Sequence, residues 1–299
     1  MPCSGATPGS ASGACRGRVA VVTGASRGIG RGIALRLAAE GAAVVVSARV
    51  WGDEAAHLPG SIEAVVAEIQ ALGGTAAGLP LDLSDTTADR GVLQALAEQE
   101  FGTVDILVND AAAALYVPYE TLSPKRIRLA NEVNVVAPWE LGQRAVPGMR
   151  AKGAGWILNI TSGSAEKPVG PPFPTKPTVT ACSYGGTKAM LDRVTAGAAA
   201  ELHPVVAVNA LAPEQAVVTP GADTQGSLPE HMLEPVETMA EAALALVTGD
   251  PAVLTGRVVH SLSFLADTGR PVRGLDGVAL LAGWQPGDLP ESRLLYRGR

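Results

Sequence analysis

The chain has 299 residues, of which 47% are hydrophobic and 17% charged, with a formal net charge of −6. This is a globular composition, which excludes a disordered chain, and no basic patch supplies a nucleic-acid footprint. Its longest apolar stretches, such as AAVVVSA at 42–48, are too short to span a bilayer, and its three cysteines (Cys3, Cys15, Cys182) make neither a metal spacing nor a disulfide framework.

Residues 1–17, rich in Gly, Ser and Ala and without the apolar run of a signal peptide, read as a loose tail. From residue 18 a β-branched run alternates with a helix-length segment. RVAVVTG (18–24) precedes GIALRLAAEG (32–41), and AAVVVSA (42–48) leads to SIEAVVAEIQALGG (61–74). TAAGLPLDL (75–83) precedes ADRGVLQALAEQEF (88–101), and VDILVND (104–110) precedes a long helical segment from Ser123 to about Arg150. GWILNITS (155–162) precedes the helix holding Tyr184, and VVAVNALAP (205–213) follows that helix. Short apolar runs without strict alternation suit strands buried on both faces. Their alternation with helices implies right-handed βαβ units. The expectation is one doubly wound α/β domain over 18–265 with a parallel, roughly seven-stranded sheet, followed by an extension of little regularity over 266–299. Cysteine usage points to a reducing, cytoplasmic compartment.

TGASRGIG (23–30) lies between the first strand and the first helix. Gly24 permits the tight turn, Gly28 lets backbone approach a ligand closely, and Gly30 lets the helix pack near the strand. Free N–H groups at the helix start would then face a pyrophosphate, helped by the helix dipole. A bare tight turn is the plainer alternative, but the strand before and the helix after favour the dinucleotide site. The second strand ends in Ala48 and Arg49 with no acid before Asp53, and Arg27 adds a second cation. Two guanidiniums suit a 2′-phosphate, so NADP(H) is expected over NAD(H).

Tyr184 and Lys188 stand four apart in CSYGGTKAM (182–190), on one face of a helix. Alone they read as an amphipathic surface pair. Behind a phosphate cradle they read as a proton donor beside an ammonium that lowers its pKa. Ser162 at the end of WILNITS lies at the carboxyl edge, where open α/β sheets bind ligands, and is preferred over Ser164. Cys182 reads as an inert thiol, since no partner base is apparent.

These segments together resemble the short-chain dehydrogenase/reductase family, in the branch with a roughly 250-residue core. The residues carrying the resemblance, from about 18 to 262, are TGASRGIG (23–30), Asp82 in LDL, VNDAA (108–112), Asn134 in NEVNVVAP, Ser162, YGGTK (184–188) and VNALAP (208–213). LPGSIEAVVAEIQALGG (58–74) also looks like an actinobacterial-type subgroup. The resemblance implies a cofactor site of Gly24, Ser26, Arg27, Gly28, Ile29, Gly30 and Arg49. Asp82 would bind the adenine edge beside Leu83, Asn109 would stabilise the central sheet, and Ala111 would border the cofactor. Asn134 would hold a water in a proton relay, and Ser162 would orient a substrate carbonyl. Tyr184 would exchange the proton, and Lys188 would bind the nicotinamide ribose and acidify the tyrosine. Relatives are often tetramers packed through the helices corresponding to 123–150 and 181–201, so a homo-oligomer, tetramer or dimer, is implied.

The expected activity is hydride transfer between NADP(H) and a secondary alcohol or ketone. A non-catalytic redox-sensing NADP(H) module is the alternative from another class. A sugar epimerase or dehydratase of related fold is a third, disfavoured by the glycine spacing. Departures from the family pattern are Asn109-Asp110-Ala111-Ala112 in place of Asn-Asn-Ala-Gly, and Pro213-Glu214 in place of Pro-Gly. Glu214 is expected to face solvent. The Pro-rich stretch 163–183 is longer than the family norm, and Val169 and Phe173 would wall a cleft for a fairly bulky apolar substrate. The stretch 214–235 would hold a mobile lid, in which His231 is assigned no role.

Overall fold

The computed structural model describes residues 13–52, 59–173, 182–217, 219 and 233–284. Seven parallel strands form the central sheet: β1 (Val19–Thr23), β2 (Ala43–Ala48), β3 (Thr75–Pro80), β4 (Ile106–Asn109), β5 (Gly155–Ile160), β6 (Val206–Ala212) and β9 (Val258–His260). Their order is β3-β2-β1-β4-β5-β6-β9. A separate two-stranded parallel sheet pairs β7 (Ala216–Val217) with β8 (Leu233–Glu234). In the large sheet the chain runs outward from β1 to β3 and then returns to start again at β4. The gap between the carboxyl ends of β1 and β4 is therefore a topological switch point, the usual place for a ligand in an open α/β sheet.

Every residue of β1, β4, β5 and β6 is buried, as continuous apolar runs require when helices cover both faces. One face packs against α1 (Gly28–Ala39), α2 (Ile62–Ala71), α7 (Val236–Thr248) and α8 (Ser261–Thr268). The other packs against α3 (Gly91–Glu100), α5 (Ala137–Lys152) and α6 (Cys182–Leu202). Ser61 caps α2, its hydroxyl accepting from Ala64 N at 3.2 Å.

Three expectations are corrected here. The long segment from Ser123 is not one helix: α4 (Pro124–Asn131) passes into a π-helical turn at Glu132–Val136 before α5 begins. The tail expected over 1–17 ends earlier, because Cys15 is fully buried and its N–H donates to Glu40 O at 3.0 Å; residues 1–12 lie outside the described residues. The extension expected from 266 begins inside α8 and then joins the core, with Val272 buried and Arg270 bonded to Glu241 at 2.6 Å. Arg36 of α1, 2% exposed, shares that carboxylate at 3.1 Å, so a buried charge pair is completed from the chain's last described segment.

Candidate functional site

The glycine turn leaves β1 at Thr23 and enters α1 at Gly28. Gly24 and Gly28 have φ of 68° and 58°, a backbone that L side chains rarely adopt. A Cβ on Gly24 would lie 2.7 Å from Ala111 N, and one on Gly28 would lie 3.3 Å from a Thr219 methyl. The turn is therefore bare backbone under close neighbours, at the amino end of a 12-residue helix. A pyrophosphate fits such a surface and no side chain would. Ser26 is buried and Ile29 half-buried in this turn. Arg27, half-buried, donates to Gly60 O at 3.2 Å, and Arg49 is exposed at the end of β2, the strand beside the turn. Asp53 lies outside the described residues. Beyond β3, Leu83 is buried while Asp82 is exposed and accepts from Ser84 N at 2.9 Å.

The same sheet edge collects the other predicted residues. Asn109, at the end of β4, donates to Asn159 Oδ1 at 2.9 Å, and Asn159 in turn donates to Thr195 Oγ1 at 2.9 Å. Thr23 Oγ1 accepts from Asp110 N at 3.2 Å and Ala111 N at 3.3 Å, which ties the glycine turn to the end of β4. Asn134 sits in the π turn, 1% exposed. Its Oδ1 accepts from Ala113 N at 2.7 Å, and its Nδ2 donates to Thr187 Oγ1 at 2.9 Å. The asparagine therefore stitches the loop after β4 to α6, one residue from Lys188.

Ser162 follows β5, and its hydroxyl is hydrogen-bonded to Tyr184. Ser162 also caps a short 3₁₀ turn, accepting from Ser164 N at 3.2 Å. Tyr184 is 8% exposed, with the Tyr116 ring packed edge-on at a centroid distance of 5.3 Å. Lys188 lies on the same face of α6, its Nζ 5.8 Å from the Tyr184 ring centre and donating to Ile160 O at 2.7 Å. Burial sets the electrostatics. It pulls the Lys188 ammonium down to about 8, against the opposing pull of Asp110 and Asp192. It pushes the Tyr184 hydroxyl above its ordinary range, with Tyr116 and Asp110 adding to the rise and the Ser162 bond working against it. Lys188, expected to acidify the tyrosine, is not among the groups that act on the Tyr184 hydroxyl here; desolvation sets the direction, and the opposing contribution comes from Ser162.

Asp110, Tyr116, Thr187 and Thr219 were not singled out as site residues from the sequence. Asp110 had a sequence signal, as a departure from the family pattern, and Thr187 lies inside YGGTK (184–188); Tyr116 and Thr219 reach the site through tertiary contacts. Glu214 is corrected: it is half-buried, accepting from Ser263 N at 2.9 Å and from Ser263 Oγ, which caps the start of α8. Val169 and Phe173 are 74% and 61% exposed, so neither packs as a wall in this structure. Residues 174–181 and His231 lie outside the described residues.

Residues 18–227 match the family described as short chain dehydrogenase. Mouse hydroxysteroid dehydrogenase-like protein 2 is 31% identical over 265 residues, covering 88% of this chain but 51% of that protein. The chain therefore spans about half the length of that relative. A solved 7α-hydroxysteroid dehydrogenase, complexed with NADH and 7-oxo glycochenodeoxycholic acid, is 32% identical with a TM-score of 0.69, covering 82% of this chain and 93% of that one. A structure from Beutenbergia cavernae with NADP bound at low occupancy is 30% identical with a TM-score of 0.66, covering 82% of this chain and 95% of that one.

Proposed function

We propose that this chain, which belongs to the short-chain dehydrogenase family, is an NAD(P)-dependent oxidoreductase that interconverts a secondary alcohol and a ketone with NADP(H), Tyr184 exchanging the proton. The observation that carries this reading is the contact of the Ser162 and Tyr184 hydroxyls beside a buried Lys188, at the edge of the sheet that also holds the glycine turn. When bound, the nicotinamide supplies or accepts the hydride. Gly24, Ser26, Gly28, Ile29 and Gly30 would hold the pyrophosphate, with Ala111 bordering the cofactor and Asp82 and Leu83 at the adenine edge. Arg27 and Arg49, beside the end of β2 where an acidic residue would select the free ribose hydroxyl, favour a 2′-phosphate.

On the protein side, two hydroxyls facing one oxygen can both donate to it. Ser162 is a short neutral donor that orients the carbonyl. Burial keeps Tyr184 protonated, which suits it to deliver a proton to the developing alkoxide. Lys188 keeps a positive charge near that phenol and would hold the nicotinamide ribose. Asn134 ties the loop after β4 to α6, and would hold the water of the relay. The bile-acid ketone in the 7α-hydroxysteroid dehydrogenase complex supports a bulky alicyclic substrate here. Exposed Ile127, Leu129, Val136 and Trp139 around α4 and α5, with Met190 on α6, support assembly of copies through those helices.

Fluorescence titration with NADPH and NADH, followed by a panel of carbonyl substrates, tests the reading. Tyr184→Phe is expected to retain cofactor binding and to lose about 10²- to 10⁴-fold in turnover. Full activity in that variant would move the proton donor elsewhere. Tight NADPH binding with no turnover on any carbonyl would favour a redox-sensing module instead.

A further inference from the structure

The sequence places a carboxylate, Asp110, where the family pattern has an amide, and nothing in the proposed reaction uses it. Asp110 directly follows β4, and the register Asn109↔Asn159 sets it beside Ile160 on the neighbouring strand. Parallel strands are about 4.8 Å apart, and the Ile160 carbonyl is the acceptor of the Lys188 ammonium. On its other side the carboxylate meets α1: it accepts the Gly30 N–H, and a Cβ on Gly30 would lie 2.6 Å from Asp110 Oδ2. The residue is half-buried. One carboxylate thus serves two positive partners, the amino end of α1 and the catalytic lysine.

We infer that Asp110 is a further positioning residue of this site, and that through it dinucleotide binding is linked to uptake of a proton. The inference rests on the dinucleotide reading of the glycine turn. A pyrophosphate at the cradle brings a second anion to the helix start that Asp110 already occupies. Two anions there repel, and the cheapest relief is to protonate the carboxylate, which then still contacts Gly30 as a neutral group. Burial already pushes Asp110 up to about 7, with Lys188 pulling the other way, so the free protein has the carboxylate partly charged at neutral pH. The titratable groups facing Asp110 are Lys188 and Tyr184, both on α6; Asp192 and Tyr116 face those two in turn. An asparagine at 110 would keep an acceptor for Gly30 but carry no counter-charge for Lys188.

The test is calorimetric titration of the whole chain with NADH, which lacks the titrating 2′-phosphate, in buffers of different ionisation enthalpy between pH 6 and 9. Wild type is expected to take up a proton on binding, its Kd weakening by up to about tenfold per pH unit above the midpoint. Asp110→Asn should bind with less uptake and a shallower pH dependence of Kd than wild type, keeping only what Lys188 contributes, and Asp110→Glu should restore the uptake. Wild type that binds without taking up a proton, or Asp110→Asn that takes up as many as wild type, would overturn the inference. A merely structural role predicts instead that Asp110→Asn matches wild type and only Asp110→Ala loses affinity. Failure of wild type to bind either NADH or NADPH would sink the dinucleotide reading itself.

Discussion

At the scale of single residues, the site is governed by charge held away from water. Lys188, Tyr184, Asp110 and Asp192 lie on adjoining elements, and burial shifts each toward its neutral form. The same physics acts outside the site at Glu234, 1% exposed, which accepts from Ser261 Oγ at 2.7 Å and Thr238 Oγ1 at 3.0 Å. Burial lifts its carboxyl to about 7. The folded protein therefore binds a proton there that the unfolded chain has released, and stability falls as pH rises from the ordinary carboxylate range through about 7. Wild type is expected to unfold at lower denaturant concentration at pH 8 than at pH 5.5, and Glu234→Gln to reduce that difference. An unchanged difference between the two pH values in the variant would assign the slope to other groups.

At the scale of elements, the π turn is where the helix after β4 gives way to the needs of the site. Its first residue, Glu132, and Glu140 of α5 both pair with Arg90, at 2.6 and 2.5 Å. Arg90 is 3% exposed and also donates to Leu83 O at 2.9 Å. One guanidinium thereby joins the segment after β3, next to Asp82, to the turn carrying Asn134. Removing it takes from Glu132 its paired cation and leaves Glu140 with only the more exposed Arg144. Arg90→Met is expected to lower the unfolding free energy by about 3 kcal/mol, read from the urea midpoint. A loss under about 0.5 kcal/mol would mean that solvent screens the pair as it does exposed ones.

At the scale of the whole molecule, the sheet order brings the ends of successive strands to one edge, and the helices behind them leave apolar surface uncovered. Trp139 is 50% exposed on α5 and Val136 45% exposed just before it. If copies assemble through this face, Trp139→Glu should shift the protein to a smaller species in sedimentation, with the far-ultraviolet helix signal retained. An unchanged sedimentation coefficient would remove this face from the interface.

The local sequence determined most of the alternation, because strands buried on both faces read as short apolar runs and the helices between them as longer amphipathic ones. It determined the cradle too: the glycine spacing is a backbone requirement, visible wherever it occurs. The almost wholly buried α7 and the short β9 were not read from it, since VETMAEAALALVT is buried from Thr238 to Val247 with no exposed face to mark a helix, and three residues make no pattern. The pairing of Tyr184 with Lys188 was legible because it is a spacing within one helix. The packing of Tyr116 on Tyr184, the Asn134–Thr187 bond and the place of Asp110 were decided only by tertiary structure, because each joins residues dozens of positions apart. The rise of the Tyr184 hydroxyl likewise depends on how much protein surrounds it, a quantity that no stretch of sequence contains.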